Sequence, residues 1–189
     1  PDNVGVIYTV FGDTLYRYNR YGAVIKIGNI QNNIKNISFA ENQDQSLTNN
    51  IGYICDNAKI YQWNLRASDD AVAASFREIT MLPFVNGSTN EYAIPSYITY
   101  SNYRLVMTCA NSNQWYYSEI NSSEFKQINF ETTERSPDKT QRVIAFANNL
   151  WAFSTYTYDI FSYTGSATDP YDSAPSATGK IGIRSVDSL

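Results

Sequence analysis

Apolar residues recur at every second position in short runs along this chain, and Gly, Asn, Asp and Ser cut the runs apart. Four stretches share one pattern: "GDTLYRYN" (Gly12 to Asn19), "DNAKIYQWN" (Asp56 to Asn64), "NSNQWYYSE" (Asn111 to Glu119) and "YTYDIFSYTG" (Tyr156 to Gly165). Each has a turn, a large apolar residue, an aromatic residue, any residue and often a second aromatic. The large residues Leu15, Ile60, Trp115 and Ile160 serve as anchors, spaced roughly 45, 55 and 45 residues apart, close to the period of a propeller blade. A strand-like run precedes each anchor: "VGVIYTVF", "IGYIC", "YRLVMTC" and "LWAFST". In three units another run precedes that one ("NISFAEN", "SYITYSN", "RVIAFAN"), and in the first three a further run follows the anchor ("AVIKIGNI", "FREITM", "FKQINF").

Alternating runs joined by short polar connections, with no helical periodicity, predict an antiparallel all-β protein. Four strands per repeat predict a β-propeller-like array of about four antiparallel four-stranded blades. The units are expected near residues 4–30, 36–82, 94–130 and 142–178, within a single propeller domain or part of one. The first unit lacks its leading strand. The run "KIGIRSVDSL" (Lys180 to Leu189) reads as an extra strand that fills that vacancy, or as the stub of a longer propeller. The segment from Gly165 to Ile183, with Pro170 and Pro175, reads either as a linker or as an irregular edge strand with its exit loop.

Alternation places Tyr16 with Tyr18, Tyr61 with Trp63, and Phe161 with Tyr163 on one face of their strands. Rings at equivalent positions in successive units fit blade-against-blade packing better than a ligand surface. Cys55 and Cys109 close two equivalent runs. They are expected to be buried and free, because equivalent positions of neighbouring blades are usually too far apart to bridge.

The 189 residues include 16 Tyr, 9 Phe and 3 Trp, and no His. A Ser-His-Asp or Cys-His arrangement and imidazole metal ligation are therefore excluded. The pairs Asp69/Asp70 and Glu131/Glu134 lie in loop-like stretches that match no spaced calcium loop. No glycine-rich phosphate loop and no sialidase-type box occurs. No cofactor and no metal is expected. The net charge of −4 argues against gripping DNA by phosphate neutralisation. No run is long enough to span a membrane as a helix. Triplets N-x-[ST] at Asn36, Asn86 and Asn121 carry weight only in a secreted eukaryotic protein.

The order "YRLVMTCANSNQWYYSEI", "RVIAFANNLWAFSTYTYDIFSYTG", a small-residue segment and then "GKIGIRS" resembles the packaged-DNA stabilisation proteins of short-tailed bacteriophages, also called tail accessory or tail hub proteins. The upstream units follow the same order, so the resemblance covers nearly the whole chain. Members of that family are longer, which reads this chain as part of a larger protein. The resemblance implies a structural virion component without catalytic residues. It would sit in a ring or plug below the portal, retain packaged DNA and carry tail needle and fibres. Its partners would be portal, adaptor and other tail proteins and further copies of itself. It would be made in the bacterial cytoplasm and end in the virion. A carbohydrate-binding or glycan-processing propeller is the alternative. Loops carry partners on such scaffolds, and the mixed-charge loops supply the candidate interface: Arg66, Asp69, Asp70, Arg135, Asp138 and Lys139.

Overall fold

The computed structural model describes residues 6–31, 36–46, 49–79, 94–133, 138–174 and 178–183. The strands form four antiparallel sheets in chain order. Blade 1 holds β1 (Ile7–Phe11), β2 (Thr14–Tyr18) and β3 (Val24–Asn29). Blade 2 holds β4 (Ser38–Gln43), β5 (Asn50–Cys55), β6 (Ile60–Asn64) and β7 (Arg77–Glu78). Blade 3 holds β8 (Pro95–Ser101), β9 (Arg104–Cys109), β10 (Gln114–Ser118) and β11 (Phe125–Thr132). Blade 4 holds β12 (Thr140–Phe146), β13 (Asn149–Ser154), β14 (Tyr158–Tyr163) and β15 (Tyr171–Ser173). Among the described residues the only helical element is a short 3-10 turn at Ala73–Ser75, between β6 and β7.

The four anchors fall in β2, β6, β10 and β14, each the strand after the 2–3 hairpin of its blade, so the repeat read from the sequence is the repeat of the fold. Among the described residues blade 1 has three strands. The leading strands β4, β8 and β12 touch one another in turn, which places them innermost. β15 follows Pro170 as a short outer strand, which resolves the Gly165–Ile183 ambiguity in favour of an edge strand. Residues 180–183 form no strand. The Ile183 amide donates to the Ser154 carbonyl of blade 4, and 184–189, where the rest of the expected extra strand falls, lie outside the described residues.

Turn chemistry fixes the hairpins. β8 and β9 are joined through Asn102 and Tyr103, and β12 and β13 through Ala147 and Asn148, all four at positive φ. Two successive residues of that conformation make the turn whose twist matches the flanking strands. Tyr103 is an unusual occupant, and its carbonyl is held by the Asn121 amide (2.7 Å) and by Asn42 Nδ2 of blade 2 (3.3 Å).

The core lies between the blades. One cluster joins Leu15 and Ile27 of blade 1 to Ile54, Tyr61 and Trp63 of blade 2. A second joins Tyr53, Cys55 and Ile60 of blade 2 to Leu105, Met107 and Tyr116 of blade 3. A third joins Val106, Trp115 and Tyr117 of blade 3 to Leu150, Phe161 and Tyr171 of blade 4. Trp115 meets the edges of Phe161 and Tyr171 at centroid distances of 5.0 and 5.4 Å, within the range that favours ring pairs. Bare backbone admits two further rings. A Cβ at Gly28 would collide with Phe76 of the neighbouring blade, and one at Gly52 with Trp63 of its own sheet.

Both cysteines are buried and free. The arrangement differs from the one the sequence suggested. Cys55 pairs with Ile60 and belongs to the face toward blade 3, whereas Cys109 belongs to the face of blade 3 toward blade 2, so both enter the same seam. Burial pushes each thiol up to about 12, which leaves it protonated and unreactive at neutral pH.

Candidate partner interface

Antiparallel blades have two unlike ends. The turns between first and second strands and between third and fourth strands gather at one end. The turns between second and third strands, and the connectors from blade to blade, gather at the other. Arg66, Asp69 and Asp70 lie between β6 and β7, hence at the first end. Asp138 and Lys139 lie between β11 and β12, hence at the second. Arg135 lies outside the described residues. The candidate interface residues therefore form two separate groups rather than one patch.

Several of them already hold the fold together. Asp69 accepts from Asn19 Nδ2 (2.9 Å) and pairs with Arg17 (3.4 Å), both on blade 1. Asp138 accepts from the Tyr156 amide (2.7 Å) and from the Thr157 hydroxyl (3.2 Å), fastening the hairpin between β13 and β14. Lys139 Nζ donates to Asn111 Oδ1 (3.0 Å) on the corresponding hairpin of blade 3. Arg66 and Asp70 stand exposed on the loop surface.

Two residues that the loop argument passed over are the most buried cations among the described residues. Arg17 (4% exposed) donates to the Ala67 carbonyl of blade 2 at 2.8 Å. Arg104 (1% exposed) donates to the Ser118 carbonyl of its own blade at 2.7 Å and to the Ala167 carbonyl of blade 4 at 2.9 Å. Ala67 and Ala167 both stand seven residues beyond their anchors, Ile60 and Ile160. Each arginine thus pins the equivalent loop of the next blade at the same end of the array. The sequence carried a signal for both: an arginine inside an otherwise apolar strand run ("TLYRYN", "YRLVMTC") needs buried partners. Tyr171 adds a hydroxyl bond to the Ser101 carbonyl across the seam of blades 3 and 4 (3.2 Å).

The other end is organised by a buried carboxylate. Asp56 accepts from the Ala58 and Lys59 amides (3.1 and 2.8 Å) of its own turn and from the Gln31 amide (2.9 Å) of the connector leaving blade 1. On the rim of blade 3, hydrogen bonding by Asn129 and then Lys126 holds the Glu119 carboxyl below the usual carboxylate range.

The surface carries shallow grooves. One of about 390 Å³ runs between the tight turns of blades 3 and 4, lined by Tyr100, Tyr103, Phe146 and the amides of Asn102, Asn148 and Asn149. Another, about 380 Å³, lies between blades 2 and 3 and includes Asp44, Gln62 and Arg77. The first presents rings and amides without a charged side chain. Neither holds a pair of carboxylates, and among the described residues no cluster of three Cys, Asp or Glu could hold a metal ion. Among the described residues no helix is long and apolar enough to cross a membrane. What the arrangement provides chemically is rigid, stacked sheets with polar loops at both ends.

The chain superposes on Kluyveromyces lactis Hsv2 with a TM-score of 0.51 and 10% identity, covering 86% of this chain and 47% of that one. The β-propeller domain of Myceliophteria thermophila Cps50 (Swd1) gives 0.48 and 14% identity, over 95% and 55%. PorZ of Porphyromonas gingivalis, a surface component of a type-IX secretion system, gives 0.48 and 11%, over 94% and 21%. The chain thus spans about half the length of the first two and about a fifth of the third. No curated protein sequence matches it. The family model described as bacteriophage P22 Gp10, β-propeller, matches residues 2–188, and with four stacked blades in the expected order this chain belongs to that phage stabilisation family.

Proposed function

We propose that this chain is the blade-built part of a structural, non-enzymatic tail protein, one protomer of a ring that completes the plug below the portal and keeps packaged DNA inside the particle. The observation that carries the reading is the family match along residues 2–188. Portal, adaptor, needle and fibre proteins are its expected partners, and the virion its destination after synthesis in the host cytoplasm. A chain of net charge −4 suits a passage that DNA is blocked from leaving better than a clamp on phosphates. Arg66 and Asp70 at one end, Lys139 at the other, and Arg135, four residues before Lys139 in sequence, are the docking charges, which steer and set register more than they add affinity. Asp69 and Asp138 support those loops from within.

Charge reversal of Arg135 and Lys139 in the intact protein should weaken ring assembly or docking to the adaptor while the β-sheet spectrum is kept. Normal assembly by that variant would remove the second end from the interface. The glycan reading draws on the uncharged groove of Tyr100, Tyr103, Phe146 and the neighbouring amides. Specific retention of purified protein by a neutral glycan, lost in Tyr103→Ala, would favour it over the tail reading.

A further inference from the structure

The repeat allows the seams between blades to be compared position by position, and two of them are pinned by an arginine. At the seam of blades 1 and 2, Arg17 donates to the carbonyl of Ala67, seven residues beyond the anchor Ile60. Asp69, nine residues beyond Ile60, pairs with the same guanidinium at 3.4 Å. At the seam of blades 3 and 4, Arg104 donates to the carbonyl of Ala167, seven residues beyond Ile160. Asp169 holds the position there that Asp69 holds in blade 2.

The seam of blades 2 and 3 presents the same loop without a pin. The seventh and ninth residues beyond Trp115 are Ser122 and Glu124. Among the described residues the Ser122 carbonyl accepts no hydrogen bond, while its hydroxyl accepts from the Glu124 amide. The exposed Glu124 carboxylate makes no ion pair among them. In the same turn, Asn121 Oδ1 is buried with no hydrogen-bond partner. Strand register shows what blade 2 offers in place of an arginine. Arg17 lies opposite Tyr8, and Gln62 lies opposite Tyr53 at the equivalent point. Arg104 stands four residues before Thr108, the partner of Trp115, and Ile51 stands four before Cys55, the partner of Ile60. Gln62 and Ile51 thus replace the two arginines, and both line the groove of about 380 Å³ between blades 2 and 3, with Asn121 and Ser122. Arg77, paired beside Gln62 on the outer strand, borders the groove but bonds to neither Ser122 nor Glu124. Asp44 in the same lining offsets its charge.

We propose that this groove is a socket for an arginine side chain presented by a partner polypeptide. The incoming guanidinium lies between blades 2 and 3, donates to the Ser122 carbonyl and pairs with Glu124, as Arg17 does with Ala67 and Asp69. A carbonyl and a carboxylate two residues apart call for donors pointing in two fixed directions. The planar fork of arginine supplies them, and the single ammonium of lysine does not. The seam supplies acceptors at the positions where the other two seams hold an arginine, and an outside donor completes the same pattern. This names the chemistry of one contact and holds whichever assembly the partner belongs to.

The test is a titration of the purified, isotope-labelled protein with N-acetylarginine amide, followed by the backbone amide resonances. The resonances of Ser122, Ser123 and Glu124 should shift with roughly millimolar affinity, the scale that one exposed ion pair with a hydrogen bond allows. The corresponding lysine amide should bind more weakly, and the neutral citrulline amide should leave these resonances in place. Glu124→Gln should weaken the arginine probe about fivefold. Gln62→Arg copies Arg17 into this seam, so it should block the probe and raise the melting temperature. If that variant does not fold, Ile51→Arg, which copies Arg104, takes its place. Shifts that are absent or lie elsewhere, equal binding of the lysine or citrulline amide, unchanged affinity in Glu124→Gln, or unhindered binding to the arginine-bearing variant would each overturn the socket.

Discussion

The two sides of blade 4 belong to one sheet and read alike in sequence, yet they live in different surroundings. On the side toward blade 3, Phe161, Leu150 and Ala152 are at most 1% exposed and close a seam with Trp115 and Tyr117. On the other side, Ile160 and Trp151 come from the same strands, one residue away, and stay half-buried. Alternation decides which residues share a face. Position in the array decides whether that face is core. An aromatic residue in such a repeat is therefore a core residue only where a neighbouring blade covers it.

Alkali should break this comparison most completely, because the perturbed groups line the seams. Burial pushes Cys55, Cys109, Tyr53, Tyr61, Tyr116 and Tyr171 up to about 12. Each is neutral when protonated, and its folded pKa lies above its unfolded value of about 9 for the thiols and 10 for the phenols. Their contribution to stability is complete below pH 9 and is lost as pH rises from there through about 12. Melting temperature should be flat from about pH 6 to 8.5, since no histidine titrates there, and fall steeply above pH 9. Flat melting temperatures to pH 11 would mean that the seams admit water.

Trp115→Ala should come next. It opens the seam of blades 3 and 4 and should cost about 3–5 kcal/mol, read by urea unfolding. Arg104→Ala leaves the Ser118 and Ala167 carbonyls without their donor and should cost about 2–3 kcal/mol. Arg104→Lys should recover only part, since one ammonium replaces a fork that reaches two carbonyls. On the other side of the same sheet, where Ile160 is half-buried, Ile160→Ala should cost about 1 kcal/mol or less. Equal losses for Trp115→Ala and Ile160→Ala would erase the difference between the two sides of the sheet.

Much of the fold was legible because a propeller repeats its own pattern. Period-2 alternation around Leu15, Ile60, Trp115 and Ile160 gave the strand and the face without tertiary information. The cysteines were legible in outcome and not in geometry. Cys55 stands five residues before its anchor and Cys109 six before its own, and that single step turns them to opposite faces and into a shared seam. The candidate interface was the least legible part. Mixed charge marks a loop as polar, yet Asp69 and Asp138 are drawn inward by Arg17 and by the Tyr156 amide, partners remote in sequence. The arginines that hold the blade ends were hidden for the opposite reason, since they sit in apolar runs where charge looks out of place.

The central claim is that these stacked blades serve a virion as structure. The most direct test is DNA retention by particles assembled without the protein and then complemented with it. The account predicts that particles lacking it package DNA and release it on standing, measured as nuclease-sensitive genome, and that adding the intact protein restores retention. Particles that hold their DNA and infect normally in its absence would contradict it.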